Sequence, residues 1–345
     1  MGPLRIAFLG CGFITRVHSR HLKSLRSEIS SSYASRSRAK ADAFCSDFGG
    51  AGSYADYAAA IEDPGIDAVV VAVPPRYHLA LTLAALASRK HVLVEKPAFL
   101  RIEDYEAVAA ARDRAGRVVL VGENDHYKPL AVELRRLVGA GVLGEMVFAH
   151  FTTIAHKLKA PDDWRNDEEM AGGDAFFEEG IHWLHLANSL GPHIVEAHGY
   201  RPPVSSDGPD RRAKSMLVSF TYDNGAVGSL YYSREIPSLF RGLRLSKLFG
   251  RRRVISFESN GTFIIVRGEG VPQFTLPGFS DMRGYRAMYR DFLRAIRETG
   301  EPEMSLERAM DDHRLMDQIY GSAAALARRG SASEGGNPES RIPAL

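Results

Sequence analysis

The segment LRIAFLGCGFIT, residues 4–15, decides the first half of the fold, because an apolar strand runs into a glycine turn that opens a helix. Gly10 allows the chain to turn tightly, and Gly12 lets a pyrophosphate approach the N–H groups and the dipole at the start of the helix. Two glycines are also compatible with a plain strand-to-helix turn. The strand before them and the helix after them favour a phosphate-binding turn of the kind that holds dinucleotides.

Apolar strand-like runs and helix-like stretches alternate regularly through residue 122. The strands of a parallel sheet are continuously apolar when helices cover both faces, and Val69–Val73 has this character. Strands that alternate with helices form βαβ units. We therefore predict an α/β domain with a doubly wound parallel sheet over residues 1–122. Its strands are predicted at Leu4–Leu9, Ile29–Ala34, Asp67–Val73, His91–Val94 and Val118–Val121.

The pattern changes after Gly122. Longer strand candidates are joined by hairpin turns such as Asp223-Asn224-Gly225, which predicts a largely antiparallel open sheet. Residues 123–329 are therefore predicted to form an α+β domain, and residues 330–345, rich in Gly, Ser and Pro, are expected to be a disordered tail. The strand candidates are Glu145–Thr153, Ser215–Thr221, Gly228–Ser233, Val254–Phe257 and Thr262–Arg267, and the helix candidates include Phe176–Leu190, Gly284–Thr299 and Ser305–Arg328.

The composition argues against several classes of protein. The 345 residues carry a formal net charge of +2, so the overall balance points to neither nucleic acid nor a membrane surface. No stretch approaches the ~20 apolar residues of a membrane span. The two cysteines, Cys11 and Cys45, have neither disulfide-framework nor zinc-ligand spacing, and they fit a reduced, cytoplasmic setting.

The end of the second predicted strand bears on the choice of cofactor. An NAD site usually has Asp or Glu there, which accepts hydrogen bonds from the ribose hydroxyls. This chain has Ser35, followed by Arg36 and Arg38. A serine can donate to a 2′-phosphate and a guanidinium can bind it with two parallel bonds, which favours NADP(H) over NAD(H). Two arginines that cap an exposed turn are the alternative interpretation.

A charged pair, Glu95-Lys96, ends another predicted strand and is followed by Pro97. Ligands of doubly wound sheets bind beyond the carboxyl ends of the strands, so Lys96 is predicted to face the cofactor and the substrate. An ammonium group there can stabilise negative charge that develops on a substrate oxygen. A plain surface lysine would also fit.

The helix candidate of the second domain carries Glu178, His182 and His185. Glu178 and His182 are four residues apart and share one face of a regular α-helix. A carboxylate beside an imidazole sets its tautomer and suits a general acid or base near neutral pH. Such a pair is also common on surfaces or as a capped core histidine. The His-x-x-His spacing is too weak to predict a metal, and we expect none.

Together these motifs resemble the Gfo/Idh/MocA oxidoreductases, a family named for glucose-fructose oxidoreductase and inositol dehydrogenase. The resemblance covers nearly the whole chain, and its most specific part is Glu-Lys-Pro combined with Gly-x-His on the later helix. It is carried by Gly10–Ile14 with His18, Val73–His78, His91–Pro97, Tyr127–Pro129, Gly144-Glu145, Trp164-Arg165 and Gly172–His182.

The resemblance implies a Rossmann domain, a C-terminal domain with an open sheet, and homodimers or homotetramers formed through that sheet. It implies hydride transfer between a nicotinamide and a carbinol or carbonyl carbon of a sugar, sugar derivative or cyclitol. The implied catalytic residues are Lys96, His182 and Glu178, with Trp164, Arg165, His126 and His185 around the substrate. The cofactor is expected to contact Gly10, Gly12, Phe13, Ile14, Ser35, Arg36, Arg38, Val73, Pro74, His78, Glu95 and Lys96.

Four positions depart from the family pattern. Thr15 replaces the third glycine of the turn, and Glu178 stands where Asp is usual. His185 stands where Asp is common, and His126 where Arg often precedes the aromatic residue. The last two changes alter the expected substrate pocket.

Two other functions remain open at this level. One is a redox-assisted glycosidase or lyase that keeps its nicotinamide tightly bound. The other is a non-catalytic NADP(H) sensor, against which the presence of both Lys96 and His182 argues.

Overall fold

A computed structural model describes residues 2–157, 163–202, 213–237 and 244–334, with side chains described up to residue 326. Within these ranges the chain forms two sheets, each with helices packed against it. The α/β class with a Rossmann sheet and a second, mostly antiparallel sheet is thereby confirmed.

The first sheet has six parallel strands in the order β3-β2-β1-β4-β5-β6. Its central strands are buried because helices cover both faces, as their continuous apolar runs require. The strands are β1 (Leu4–Leu9), β2 (Ile29–Ala34), β3 (Gly52–Tyr54), β4 (Ala68–Val71), β5 (His91–Glu95) and β6 (Val119–Gly122), and the helices are α1 (Phe13–Leu22), α2 (Arg38–Phe48), α3 (Tyr57–Glu62), α4 (His78–Ala87) and α5 (Ile102–Ala115).

The second sheet has eight strands in the order β14-β13-β12-β11-β7-β10-β9-β8, and only its β7–β10 pair is parallel. Its strands are β7 (Met146–Ile154), β8 (Ile194–Tyr200), β9 (Ser215–Tyr222), β10 (Val227–Ser233), β11 (Leu245–Gly250), β12 (Arg253–Glu258), β13 (Ile264–Gly268) and β14 (Gln273–Thr275). The helices that follow the first sheet are α6 (Pro129–Gly139), α7 (Glu168–Ala171), α8 (Ile181–Asn188), α9 (Tyr285–Arg297) and α10 (Leu306–Glu334).

Two hydrophobic cores accompany the two sheets, but the packing does not follow the chain order. Tyr289 and Phe292 of α9 are buried in the core of the first sheet, although they lie near the end of the chain. The chain therefore returns to the first sheet after building the second. This return brings α9 and the start of α10 against the edge where β5 and β6 end.

Some elements differ from their predicted bounds. The sequence analysis missed β3, β8, β11 and β14, which are short or carry polar residues at alternate positions. The predicted tail also begins too early, since α10 continues to Glu334, and residues 335–345 lie outside the described part of the chain. Among the described helices, none combines the length and the apolar character needed to cross a membrane.

Candidate active site

The turn after β1 has the geometry of a phosphate-binding loop. Gly10 has φ of +113°, and a Cβ atom there would lie 2.4 Å from the carbonyl oxygen of Ala72. Gly12 precedes α1, whose first turn has neither a side-chain cap nor an acidic residue, so its N–H groups suit an anion. Thr15 is buried, and its hydroxyl donates to the Gly10 carbonyl at 2.7 Å. The residues present therefore fit a dinucleotide pyrophosphate.

The end of β2 carries the predicted 2′-phosphate residues. The Ser35 hydroxyl is buried and accepts a hydrogen bond from the Ser37 N–H at 3.2 Å. Arg36 is exposed and lies near the Tyr57 hydroxyl, whose pKa is raised mainly by burial and lowered in part by Arg36. The Arg38 guanidinium pairs with Asp42 of its own helix at 2.9 Å. Arg38 therefore already has an anionic partner, which weakens its predicted role relative to that of Arg36.

His78 and Glu95, both predicted to contact the cofactor, are buried and bonded within the protein. The His78 ring lies 2.8 to 3.1 Å from the carbonyl oxygens of Val73, Pro97 and Ala98. It joins the loop after β4 to the loop after β5, so we correct its role to one of positioning. Val73 and Pro74 are only half-buried and can still line the cofactor site.

The Glu95 carboxylate accepts from His18 at 2.7 Å, and the other ring nitrogen of His18 lies 2.7 Å from the Tyr289 hydroxyl. The second Glu95 oxygen accepts from the backbone N–H of Lys96 at 3.3 Å. Glu95 therefore holds the backbone of Lys96 and links α1 and α9 to β5. We assign it this structural role in place of direct contact with the cofactor.

Lys96 follows β5 of the first sheet, His182 lies on α8, and the two side chains converge on one region. The Lys96 ammonium donates to the backbone carbonyl of Glu178 at 2.8 Å, four residues before His182. Burial would raise the pKa of Asp125, but Lys128 and then His182 and Lys96 bring it down to about 2. The predicted ammonium and imidazole therefore both lie near Asp125.

The predicted partner of His182 is wrong. Nδ1 of His182 lies 2.6 Å from Oε1 of Glu123, a carboxylate that is only 2% exposed. Burial would raise the pKa of Glu123, but the adjacent His182 lowers it, and the net shift is downward. The Glu178 carboxylate instead binds Arg165, with Oε1 at 2.6 Å from Nε. Residues 176–180 form a π-helical turn, so the four-residue spacing does not align Glu178 with His182 as it would in an α-helix.

Trp164 and Arg165 lie in a short 3₁₀ turn, and the Arg165 guanidinium stacks 4.6 Å from the Trp164 ring centroid. Arg165 also contacts Asp163 at 3.1 Å and Glu178 at 2.6 Å. Through Glu178, whose carbonyl binds Lys96, this turn is connected to the Lys96 side chain. Its position is compatible with the predicted wall of the substrate site.

His126 and His185, predicted around the substrate, are buried at 3% and 1% exposure. The two rings contact each other, with Nδ1 of His126 at 2.9 Å from Nε2 of His185. His185 also contacts Asp312 of α10 at 2.6 Å. Their burial and mutual contact remove both residues from the predicted pocket wall, so this prediction is corrected.

Glu123, Asp125 and His182 form one group of possible metal ligands in the described part of the chain, with their ligand atoms within 4.8 Å of one another. The 2.6 Å contact between Glu123 and His182 has the length of a charge-assisted hydrogen bond. Asp125 is already paired with Lys128 at 2.5 Å. The contacts therefore describe a proton-holding pair next to an ion pair, and we assign no metal to them.

Comparison with known proteins places this site in a family. Residues 4–123 match the sequence model of an oxidoreductase family with the NAD-binding Rossmann fold, and residues 131–245 match the GFO/IDH/MocA C-terminal domain. The chain belongs to the Gfo/Idh/MocA oxidoreductases. The resemblance seen in the motifs is thereby confirmed.

Relatives of this family member differ in substrate and cofactor. The 4-carboxy-2-hydroxymuconate-6-semialdehyde dehydrogenase of Sphingobium sp. is 25% identical over 92% of this chain and 98% of its own. The D-xylose 1-dehydrogenase (NADP(+)) 2 of Haloferax volcanii is 26% identical over 84% and 88%. Other curated relatives match over about half of their own length. A levoglucosan dehydrogenase structure with NADH and levoglucosan has a TM-score of 0.83 at 21% identity, over 94% of this chain and 98% of that chain, which supports the fold.

Sequence reasoning missed Glu123, which this Gfo/Idh/MocA chain uses to hold its site histidine. A signal was present, because Glu123 follows β6 directly at the same sheet edge as Lys96. Polar residues at the carboxyl ends of parallel strands are candidates for the ligand site. The sequence did not indicate which of the neighbouring acidic residues would reach His182.

Proposed function

We propose that this Gfo/Idh/MocA member is an NADP(H)-dependent oxidoreductase that acts on a carbinol or carbonyl carbon of a sugar, sugar derivative or cyclitol. One observation carries the proposal: the Lys96 ammonium contacts the carbonyl of Glu178, close to a His182 ring that is anchored through Nδ1 to buried Glu123. An ammonium group and an oriented imidazole are the two groups that a carbinol–carbonyl conversion needs at its oxygen.

The bound nicotinamide would accept the hydride in oxidation and supply it in reduction. In oxidation the hydroxyl proton passes to Nε2 of His182, while the C–H bond breaks and the carbonyl forms. Glu123 keeps the Nδ1 proton in place and stabilises the imidazolium that results. Lys96 donates a hydrogen bond to the same oxygen and stabilises its negative charge. Reduction follows the reverse order, with His182 returning the proton.

NADP(H) is proposed over NAD(H) on the charge at the end of β2. Ser35 and Arg36 occupy the position where a carboxylate would repel a 2′-phosphate, and Arg36 is exposed. A charged hydrogen bond to phosphate contributes about 1.5–3 kcal/mol, enough for roughly a tenfold to hundredfold preference. One relative is named as an NADP(+) enzyme, whereas another has been solved with NADH.

A homodimer or homotetramer through the second sheet is part of the same proposal. The face of this sheet that the helices leave uncovered exposes Phe148, Val195, Val227 and Tyr231, each between 42% and 57% exposed. Phe148 and Val227 are direct neighbours across the β7–β10 pair. An apolar sheet face of this kind is typical of a protein interface.

The test is turnover by the wild type and by His182→Ala over a panel of sugars, sugar derivatives and cyclitols with NADP(H). We expect kcat to fall by about 10²- to 10⁴-fold in the variant because the positioned acid or base is lost. NADPH affinity, measured by fluorescence, should be nearly unchanged. Equal turnover in the variant would remove His182 from the reaction, and a wild type that retains nicotinamide without net redox would indicate a different use of the cofactor.

A further inference from the structure

A chain of four side chains crosses the interior behind the proposed site, and it includes both histidines that depart from the family pattern. Asp312 lies 2.6 Å from Nδ1 of His185, and Nε2 of His185 lies 2.9 Å from Nδ1 of His126. Nε2 of His126 then lies 3.4 Å from Glu303, whose side chain is 60% exposed. This series of contacts thus runs from a buried carboxylate on α10 to the surface.

The four groups can be fully hydrogen-bonded only when they share one proton more than two neutral rings and two carboxylates carry. If His185 is neutral and donates to Asp312, its Nε2 must accept, so the single proton of a neutral His126 lies on Nδ1. The bare Nε2 of His126 then faces the Glu303 carboxylate. If the His126 proton lies on Nε2 instead, two nitrogen lone pairs meet at 2.9 Å inside the protein. Buried polar groups without partners cost about 1–3 kcal/mol each.

One additional proton removes both conflicts. We propose that His185 is a buried imidazolium at neutral pH, which donates to Asp312 and to His126 and thereby holds α8, the helix of His182, against residues 124–127. His126 stays neutral and donates its Nε2 proton towards Glu303. Every contact among the four side chains then joins one donor to one acceptor, and the positive charge lies next to the buried carboxylate of Asp312.

The surroundings support this placement of the charge. Asp312 is 1% exposed, and its second oxygen accepts from the Asn188 amide at 3.1 Å, so it is stabilised as a carboxylate. Burial lowers the pKa of His185, but Asp312 and then Glu123 raise it, and the net shift is upward. Burial lowers the pKa of His126 to about 4, which keeps that ring neutral. The charged or titratable groups around the pair are Glu123, Tyr127, Arg135, Glu303, Arg308 and Asp312.

The imidazolium also serves the site. His185 is three residues from His182 on α8, and its charge lowers the pKa of Glu123, the carboxylate that holds His182. A neutral His185 would leave Glu123 easier to protonate, and a protonated Glu123 no longer supports an imidazolium at His182. His185 is therefore a positioning residue, and only this effect on His182 depends on the proposed function.

The protonation state is tested without any substrate, by NMR of ¹⁵N-histidine-labelled full-length protein. At about pH 8, well above the usual pKa of histidine, we expect one ring that keeps both N–H protons and loses one in Asp312→Asn. The variant should still fold, because an asparagine oxygen can accept from Nδ1 of His185. If no doubly protonated ring is present, or if all doubly protonated rings are unchanged in Asp312→Asn, the proposal is wrong.

Stability gives an independent measurement. When the pKa of His185 is higher in the folded state, its protonation stabilises the protein at pH values below the unfolded-state pKa of about 6.5. This stabilisation is lost as the pH rises through the folded-state pKa. The Tm of Asp312→Asn should therefore lie about 4 °C or more below that of the wild type at pH 6, and the gap should shrink towards pH 9. The lowered pKa of His126 destabilises the folded state at acid pH, but both proteins retain His126, so this effect cancels in the difference between their Tm values. A gap that is constant with pH would contradict the proposal.

The effect on the site is read from kinetics once a substrate is known. In Asp312→Asn the acid limb of kcat/KM should move to higher pH, because Glu123 loses the neighbouring charge. Glu303→Gln at the exposed end is the matched control, and its acid limb should move little. If the acid limb of the kcat/KM profile is unchanged in both variants, His185 has only a structural role. Absence of turnover in the wild type would count against the proposed function alone.

Discussion

The pairing of Glu123 with His182 yields the sharpest prediction, through the substitution Glu123→Gln. Oε1 of Glu123 accepts from the backbone N–H of Asp125 at 3.0 Å as well as from His182 at 2.6 Å, whereas the buried Oε2 has no hydrogen-bond partner. A glutamine can therefore keep its oxygen at the Oε1 position and its amide group at the Oε2 position. The tautomer of His182 is retained, and the negative charge is lost.

The expected loss follows from that difference. A hydrogen bond to a charged group contributes about 1.5–3 kcal/mol, so kcat/KM should fall by roughly 10- to 100-fold in the direction that forms an imidazolium at His182. The amide placed in the Oε2 environment lacks a partner and should also lower the stability by about 1–3 kcal/mol. NADPH binding should stay near the wild-type value, because the phosphate-binding turn is untouched.

The assay is steady-state kcat/KM across pH for Glu123→Gln and for Glu178→Gln, with Tm recorded for both. Glu178→Gln is the matched control, because the Glu178 carboxylate is bound by Arg165 and its backbone carbonyl, which meets Lys96, is unchanged. We expect the acid limb of the profile to respond to Glu123→Gln and to be nearly unaffected by Glu178→Gln. The reverse ranking would refute the pairing and restore the one that the sequence spacing suggested.

Three further predictions concern the cofactor and the assembly. Arg36→Ala should weaken NADPH binding by roughly tenfold or more and leave NADH binding nearly unchanged; equal losses for both cofactors in a fluorescence titration would contradict the 2′-phosphate role. Gly10→Ala should abolish cofactor binding and lower the stability by about 2 kcal/mol or more, because Gly10 has φ of +113° and a Cβ there would meet the Ala72 carbonyl. Cofactor binding and a Tm equal to those of the wild type would refute this prediction. Tyr231→Asp should shift the mass measured by light scattering to that of a monomer, whereas the control Val132→Asp on α6 should not. The same mass for both variants would argue against the second sheet as the interface.

The site shows where sequence-based inference loses precision. Lys96 could be placed because it follows a buried strand directly, and the ends of parallel strands meet at one edge. His182 could be placed only through the resemblance to a family. Its partner Glu123 is 59 residues away and reaches it because β6 ends beside α8, a relation that no spacing in the sequence expresses. The π-helical turn at residues 176–180 also changes which face Glu178 presents.

The sequence by itself determined the glycine turn and most of the first sheet, since β1 and β2 have the predicted bounds and depend on local rules of apolar runs and turns. Only the tertiary structure decided that His126 and His185 lie against each other in the interior, and that α9 returns to the first core. The physical reason is the range of the interactions. Strand and turn preferences act between neighbours in the chain, whereas the partner of a buried polar group depends on which distant elements pack together.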